Sequence, residues 1–395
     1  MGCSSSTQSE SNNKNQNNIN QSNQPRKSNK NESKEVRPKK VKGLSGKGNS
    51  STKITYDKEL EDILKDLLNK EFPDKLDGPG CALVVLQDGE PIYKVFAGAE
   101  DLSDNTPINS KTRFDLASVS KHFTGASTLS LIQDKIINED TLLEEYMPEL
   151  KNYNDGNNNR KITVYDVAHM ASGFHSELDY DTEVATNEDA LNLIAKAKPA
   201  FPTGTKYIYS NNDYMMLALL TKRVVKKPFS EFMEEKFFKL LGMNDTKVMD
   251  SGVNFEWAQG YKGKAGDWIP VRDATPYLYG DGNVYTTIDD LCKWEKSLHD
   301  NTILTKESLN IGFAPGKFDD GSKNNYGYGW EPSYDPEDDK QSGVWHNGSW
   351  EGTSTMYGRY FDGFSYILLI NIDSYEALDL GWKVEDIFKK ERYTI

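Results

Sequence analysis

Strand-forming runs at both ends of a long chain, with a helix-rich stretch between them, restrict this sequence more than any other feature. Residues 82–87 are almost wholly apolar, Asp88-Gly89 supplies a tight turn, and 92–98 resumes a strand-like pattern. Far downstream, Asp362-Gly363 gives a second hairpin signal. It is followed by the run Tyr366-Ile367-Leu368-Leu369-Ile370-Asn371-Ile372. A helix is expected over 56–72, with Leu60, Ile63, Leu64, Leu67 and Leu68 on one face, and another near 377–390. From about 140 to 267 the signals are helical and loop-rich, with few strands. The pattern predicts an α+β fold: an antiparallel sheet flanked by helices and contributed by both chain ends, with a helical lobe inserted at about 140–267.

Residues 1–53 are a different material, rich in Asn, Ser, Gln and Lys and nearly free of large apolar side chains. Such a segment buries too little surface to offset its ordering entropy, so a disordered tail is expected before a folded domain over 54–395. The tail carries 11 Lys or Arg against 3 Glu, a charge of +8; the whole chain carries −14, leaving −22 on the remainder. A body that acidic argues against nucleic acid as a partner.

Three short motifs carry chemistry, in the chain order Ser118-Val119-Ser120-Lys121, Tyr209-Ser210-Asn211 and His346-Asn347-Gly348. A serine hydroxyl is a weak nucleophile at neutral pH and needs a base within hydrogen-bond reach. One helical turn puts Lys121 beside Ser118. The same Ser-x-x-Lys spacing at Ser11–Lys14 and Ser50–Lys53 lies in polar tracts that cannot pack around anything. Ser118 instead follows Phe114, Leu116 and Ala117. It precedes Phe123, Ala126, Leu129, Ile132 and Ile136 at helical spacing. Tyr209 follows the turn Phe201-Pro202-Thr203-Gly204 and opens an apolar helix. His346 lies shortly before the turn Ser349-Trp350-Glu351-Gly352. Singly, a Tyr or His in such places is a packing residue; together the three motifs describe an acyl-transfer site.

The ordered set resembles the serine β-lactamase and penicillin-binding-protein superfamily, in its class C β-lactamase-related esterase and peptidase branch. The likeness runs from about Gly78 to the C-terminus. It includes Phe114 to Thr124 around the serine, Ile162-Thr163-Val164 with His169-Met170-Ala171-Ser172-Gly173, and Leu241-Gly242-Met243-Asn244-Asp245-Thr246. Gly280-Asp281-Gly282-Asn283-Val284-Tyr285-Thr286-Thr287 and Tyr326-Gly327-Tyr328-Gly329-Trp330 extend it. The resemblance implies that Ser118 becomes acylated and that Lys121 and Tyr209 share the general-base and general-acid work, either being the base. It also implies that Asn211 holds the Lys121 ammonium and contacts substrate. The backbone N–H groups of Ser118 and Ser349 would form an oxyanion hole, with Gly348 admitting the substrate closely. The family's usual third motif begins with Lys. Here His346 stands in its place, so a permanent cation for a substrate carboxylate is missing. Small-molecule or peptide esters and amides are expected ahead of β-lactams.

Met1-Gly2-Cys3-Ser4-Ser5-Ser6 fits a myristoylation pattern, with Gly2 as acceptor and Cys3 as a palmitoylation site. One myristoyl chain binds weakly, and the basic residues Arg26, Lys27, Lys39, Lys40 and Lys42 would add attraction to anionic cytoplasmic lipid. Lipid anchoring at the cytoplasmic face of a membrane is therefore expected. No apolar run approaches the roughly 18 residues of a transmembrane helix. Cys3, Cys81 and Cys292 give no disulfide framework, and the last two sit in apolar surroundings as core residues. The five His include no His-Glu-x-x-His pair and the cysteines lack zinc spacing, so no metal or cofactor is expected. Gly43-Leu44-Ser45-Gly46-Lys47-Gly48 has the wrong spacing for a phosphate loop. Tyr277, Tyr279, Trp330 and Trp350 are candidates either for a pocket or for the core. Asn347-Gly348-Ser349 is formally a glycosylation acceptor, but a glycan there would block the site. Two readings from different classes stand: a membrane-tethered serine hydrolase, and a non-catalytic or self-assembling scaffold that keeps the fold.

Overall fold

A computed structural model describes residues 53–72, 76–153, 160–176, 186–250, 255–271, 278–335, 338–374 and 376–392. These all lie within one compact unit, residues 48–395. Gly2, Cys3, the basic tail and Tyr277 lie outside the described residues.

The helix α1 (Lys58–Glu71) starts where Asp57 accepts the Glu59 N–H, and it buries Leu64 and Leu68. Strands β1 (Cys81–Gln87) and β2 (Glu90–Ala97) form a hairpin. Asp88 and Gly89 both take positive φ, +54° and +76°, as a two-residue hairpin turn requires. The remaining strands come from the far end of the chain: β3 (Glu331–Tyr334), β4 (Gln341–Trp350), β5 (Thr353–Tyr360) and β6 (Phe364–Ile370). They join the hairpin in the order β3-β4-β5-β6-β1-β2, and every neighbouring pair is antiparallel.

Both faces of this sheet are covered, which is why β1 reads as a continuous apolar run rather than an alternation. Leu83 and Val85 face one core with Leu64, Leu68, Leu380, Val384 and Phe388. Ala82, Val84 and Leu86 face the other, with Phe123, Leu217 and Ile288. The second core is filled by α2 (Lys121–Gln133), α3 (Asn211–Val225) and α4 (Ile288–Asp300), and α5 (Glu376–Arg392) closes the chain against β5 and β6. Between 140 and 267 the described elements are chiefly helices. They include Val164–Ala168, Asn187–Ile194, α3 and Phe229–Met233, with one hairpin of Gly260–Lys264 and Asp267–Val271. These helices share one apolar core with the sheet.

Helix α2 is buried from Lys121 to Leu131 on every side. Three of its hydroxyls bond along the helix itself, Ser127 and Thr128 donating to the Thr124 carbonyl and Ser130 to that of Ser127, while Thr124 donates to the Gly280 carbonyl at 2.7 Å. The apolar spacing read through Ile136 overshoots this helix, which ends at Gln133. Lys135 turns left-handed at φ +58°, and Ile136 emerges 52% exposed. Ile63, counted on the inner face of α1, is 41% exposed.

Candidate active site

The segment before Ser118 is clamped from two sides. Phe114–Asp115 pairs with Tyr285 and Thr286, and the Leu116 N–H donates to the Val284 carbonyl at 3.0 Å. From β5, Thr353 and Thr355 donate through Oγ1 to the carbonyls of Asp115 (3.0 Å) and Leu116 (2.9 Å). The Asp115 carboxylate accepts the Ala117 N–H at 2.8 Å. Ala117 is thereby held at φ +46°, a left-handed conformation that costs a non-glycine residue about 1–2 kcal/mol. The chain then winds through one 3₁₀ turn, Ala117–Ser120, into α2. Ser118 stays half-buried at that junction.

Lys121, the first residue of α2, is fully buried and makes three hydrogen bonds. Its Nζ donates to Ser118 Oγ at 3.0 Å, Asn211 Oδ1 at 2.9 Å and the Asp281 carbonyl at 2.8 Å. Burial lowers its pKa to about 8, against the opposing pull of the Asp281 charge. The half-buried Tyr209 interacts with the Ser118 side chain, and its ring centroid lies 5.0 Å from Lys121 Nζ. Burial raises the phenol above its ordinary range; the bond to Ser118 opposes that shift, and the charges of Glu331 and Asp281 add to it. The Ser118 hydroxyl thus has beside it a buried amine with a lowered pKa and a phenol with a raised one.

Asn211 reaches Lys121 because it opens α3. Ser210 caps this helix by accepting the Asp213 N–H at 3.2 Å. The fully buried Asp213 carboxyl is pushed up to about 8 by desolvation, with hydrogen bonds to Ser210 and Ser172 opposing the rise. Farther along, the Tyr214 hydroxyl donates to the Ala168 carbonyl at 3.0 Å.

His346 stands on β4, 1% exposed. Its Nδ1 lies 2.6 Å from the Asn347 carbonyl, which can only accept, so Nδ1 carries the proton. Nε2 then accepts from the Tyr326 hydroxyl at 2.8 Å. Burial, joined by repulsion from Lys121, lowers its pKa to about 3. The imidazole is neutral, with both nitrogens occupied by the protein itself. It does not titrate near neutrality in this setting, and it acts as a support within the wall.

Gly348 makes its close approach to the chain itself. A Cβ there would stand 2.4 Å from Thr355 Oγ1, 2.5 Å from the Leu116 carbonyl and 3.0 Å from Ala117 Cβ. The glycine lets β4 lie against the backbone that leads into Ser118. Ser349 follows, half-buried, opposite Ser354 of β5. On its other side β4 is covered by β3 only as far as Trp345, because β3 pairs with Gln341, Gly343, Val344 and Trp345. Residues 346–350 therefore form an open strand edge, with Trp350 45% exposed at its end.

Several contributors carried no signal of their own in the sequence. The Asp281 carbonyl and Tyr326 lie in stretches that matched family patterns and Thr355 lies in none, and nothing local marks the partners of any of the three. Gly329, at φ +84°, brings its backbone against Lys121: a Cβ would meet the Lys121 carbonyl at 2.3 Å. Trp330 stacks on the buried His122 ring, 3.3 Å between centroids, so it belongs to the core, as does the 5%-exposed Tyr279. Cys81 and Cys292 are buried free thiols, both raised by burial, Cys292 to about 11. Among the described residues no group of three His, Cys, Asp or Glu is arranged to hold a metal ion.

A serine next to a buried lysine and a tyrosine, beside an open strand edge, is the arrangement of the serine β-lactamase and penicillin-binding-protein superfamily. The Beta-lactamase family model matches residues 66–381, and the chain belongs to that family. Penicillin-binding protein 4* of Bacillus subtilis (strain 168) is 24% identical over 302 residues, covering 71% of this chain and 65% of that protein. A D-aminopeptidase of Brucella anthropi is 27% identical over 239 residues, 58% of this chain and 44% of that one. The chain spans less than two thirds of either relative's length. Among solved structures, FmtA from Staphylococcus aureus is similar with a TM-score of 0.70 at 19% identity, covering 88% of this chain and 95% of that one.

Proposed function

We propose that this protein is a serine hydrolase that forms an acyl-enzyme on Ser118 and hydrolyses an ester or amide. The carrying observation is Ser118 Oγ held 3.0 Å from the buried Lys121 Nζ, with the Tyr209 phenol acting on the same hydroxyl. Lys121 is the base in this reading. With its pKa near 8, a fraction of the amine is neutral at physiological pH, and its lone pair then faces Ser118. Tyr209, held protonated, suits the acid. As Oγ attacks the carbonyl, its proton passes to Lys121, and the oxyanion takes the backbone N–H groups of Ser118 and Ser349. The phenol protonates the leaving atom, and the Lys121 ammonium replaces the phenol's proton. Deacylation runs the relay with water in place of Ser118: the water proton goes to Lys121, and Ser118 leaves with a proton.

His346 offers no cation, which favours substrates without a carboxylate anchor over β-lactams. The D-aminopeptidase and penicillin-binding-protein relatives support an amide or ester carbonyl as the target class. A fluorophosphonate should label the protein at Ser118, with labelling lost in Ser118→Ala and reduced at least a hundredfold in Lys121→Ala. A folded, unlabelled protein that forms large assemblies would return the scaffold reading instead.

The same reading includes a lipid anchor. Gly2 and Cys3 fit acylation, and the tail's charge of +8 fits an anionic surface. Metabolic labelling with an alkyne-bearing myristate tests it. Incorporation that persists in Gly2→Ala, or no incorporation at all, would remove the anchor.

A further inference from the structure

The open edge of β4 ends on an aromatic residue that the groups around Ser118 do not use. Trp350 is 45% exposed, and among the described residues its indole has no ring contact and no hydrogen-bond partner. The strand register shows which way it points. In an antiparallel pair, residues directly opposite each other share a face of the sheet. Gly348 stands opposite Thr355, and Trp350 opposite Thr353. Both threonines turn their hydroxyls toward the chain that leads into Ser118, bonding the carbonyls of Leu116 and Asp115. A Cβ on Gly348 would likewise meet Leu116 and Ala117. Trp350 therefore projects on the nucleophile's side of the sheet, one residue past the Ser349 N–H.

Position along the edge assigns it to one half of a substrate. Tyr209 lies where the edge begins, its ring centroid 6.1 Å from that of His346. Extended strand of about 13 Å separates His346 from Trp350. In the reaction proposed above, the carbonyl under attack sits between them, its oxygen on the N–H groups of Ser118 and Ser349. The leaving atom takes its proton from Tyr209, so the acyl chain runs the other way, along residues 349–350. A recess lined by Asp115, Trp257, Tyr285, Gly352 and Thr353 adjoins that end. There the half-buried Trp257 and Phe255 pack on Tyr285, 5.0 and 5.1 Å between centroids. Further ring surface thus lies beside the turn that carries Trp350.

Resting on that reading of Ser118 and Tyr209, we infer that Trp350 is a specificity residue for the acyl half of the substrate, selecting esters and amides of arylalkanoic acids over those of short aliphatic acids. A planar ring on the acyl chain stacks on the exposed indole and removes both faces from water. A short acyl chain reaches Ser118 but leaves the indole wet.

The p-nitrophenyl esters of propionic and 3-phenylpropionic acid test this directly, because they share a leaving group and differ by a phenyl ring on the acyl chain. With each rate divided by that of spontaneous hydrolysis, the full-length protein should show a kcat/KM roughly tenfold higher for the phenyl ester. In Trp350→Ala the ratio should fall to about one. Trp350→Phe should keep most of it, which guards against a ratio lost through misfolding. Phe361→Ala is the contrast, because Phe361 is 50% exposed just after β5, at the opposite end of the strand pair; its removal should leave the ratio unchanged. Moving the phenyl to the leaving group, in 2-phenylethyl against ethyl acetate, should give a ratio that Trp350→Ala does not alter. Equal normalised rates in the unmodified protein, a preference that survives Trp350→Ala, or a Trp350-dependent preference on the leaving-group pair alone would overturn the inference while leaving the acyl-enzyme intact. Failure of fluorophosphonate to label Ser118 would remove the hydrolase reading and this one with it.

Discussion

Substituting Gly348 by Ala tests how the serine is positioned without touching any reacting group. The added Cβ would lie 2.5 Å from the Leu116 carbonyl and 2.4 Å from Thr355 Oγ1. Relief to an ordinary contact needs a separation of about 0.9 Å between β4 and the segment leading into Ser118. Neither side yields easily. Leu116 is tied to Val284 and Thr355, and the Thr355 hydroxyl is committed to the Leu116 carbonyl. Overpacking of this kind costs about 1–3 kcal/mol of stability. A displacement approaching 1 Å at a reacting atom costs on the order of a hundredfold in rate. Stopped-flow labelling of Ser118 by a fluorophosphonate should therefore slow about a hundredfold, with a Tm only a few degrees lower. Gly282→Ala serves as the contrast, because its Cβ would meet nothing closer than the Ala117 carbonyl at 4.0 Å. A folded Gly348→Ala protein that acylates within threefold of the original rate would refute the idea that β4 sets the position of the nucleophile.

Two further outcomes follow from the buried ionisable groups. If neutral Lys121 is the base, the Ser118 acylation rate should climb about tenfold per pH unit below 8 and level off above it. Lys121→Arg should lose about 10²–10⁴-fold and the pH rise with it; a flat profile through pH 8 in the unmodified protein would exclude Lys121 as that base. Asp213 holds its proton up to about pH 8 when folded, whereas an unfolded aspartate releases it near 3.9. The unfolded state thus binds fewer protons over that window, and stability falls as pH rises from about 4 to 8. In Asp213→Asn that component should vanish, flattening urea midpoints between pH 5 and 8; an unchanged slope would show that Asp213 is ionised in the fold.

The strands were legible because their causes are local. The Asp88-Gly89 and Asp362-Gly363 turns and the apolar runs beside them act within a few residues, and burial on both faces makes those runs continuous. The Ser118–Lys121 contact was legible for the same reason, since one helical turn brings the two together. Helix ends were less so. The apolar spacing carried past Gln133 to Ile136, where the left-handed Lys135 turns the chain away. Gly348 could be marked as a close approach, but its neighbour, the Leu116 backbone, is more than two hundred residues distant in the chain.

The sequence by itself determined the sheet, the order of the motifs and the identity of the groups that meet at Ser118. Tertiary structure alone decided their states: His346 neutral with both nitrogens engaged, Lys121 near 8, Asp213 protonated. The physical reason is that a charge state answers to desolvation and to partners within a few ångströms. At His346 the hydroxyl comes from a preceding loop, and the repelling ammonium comes from a helix more than two hundred residues upstream.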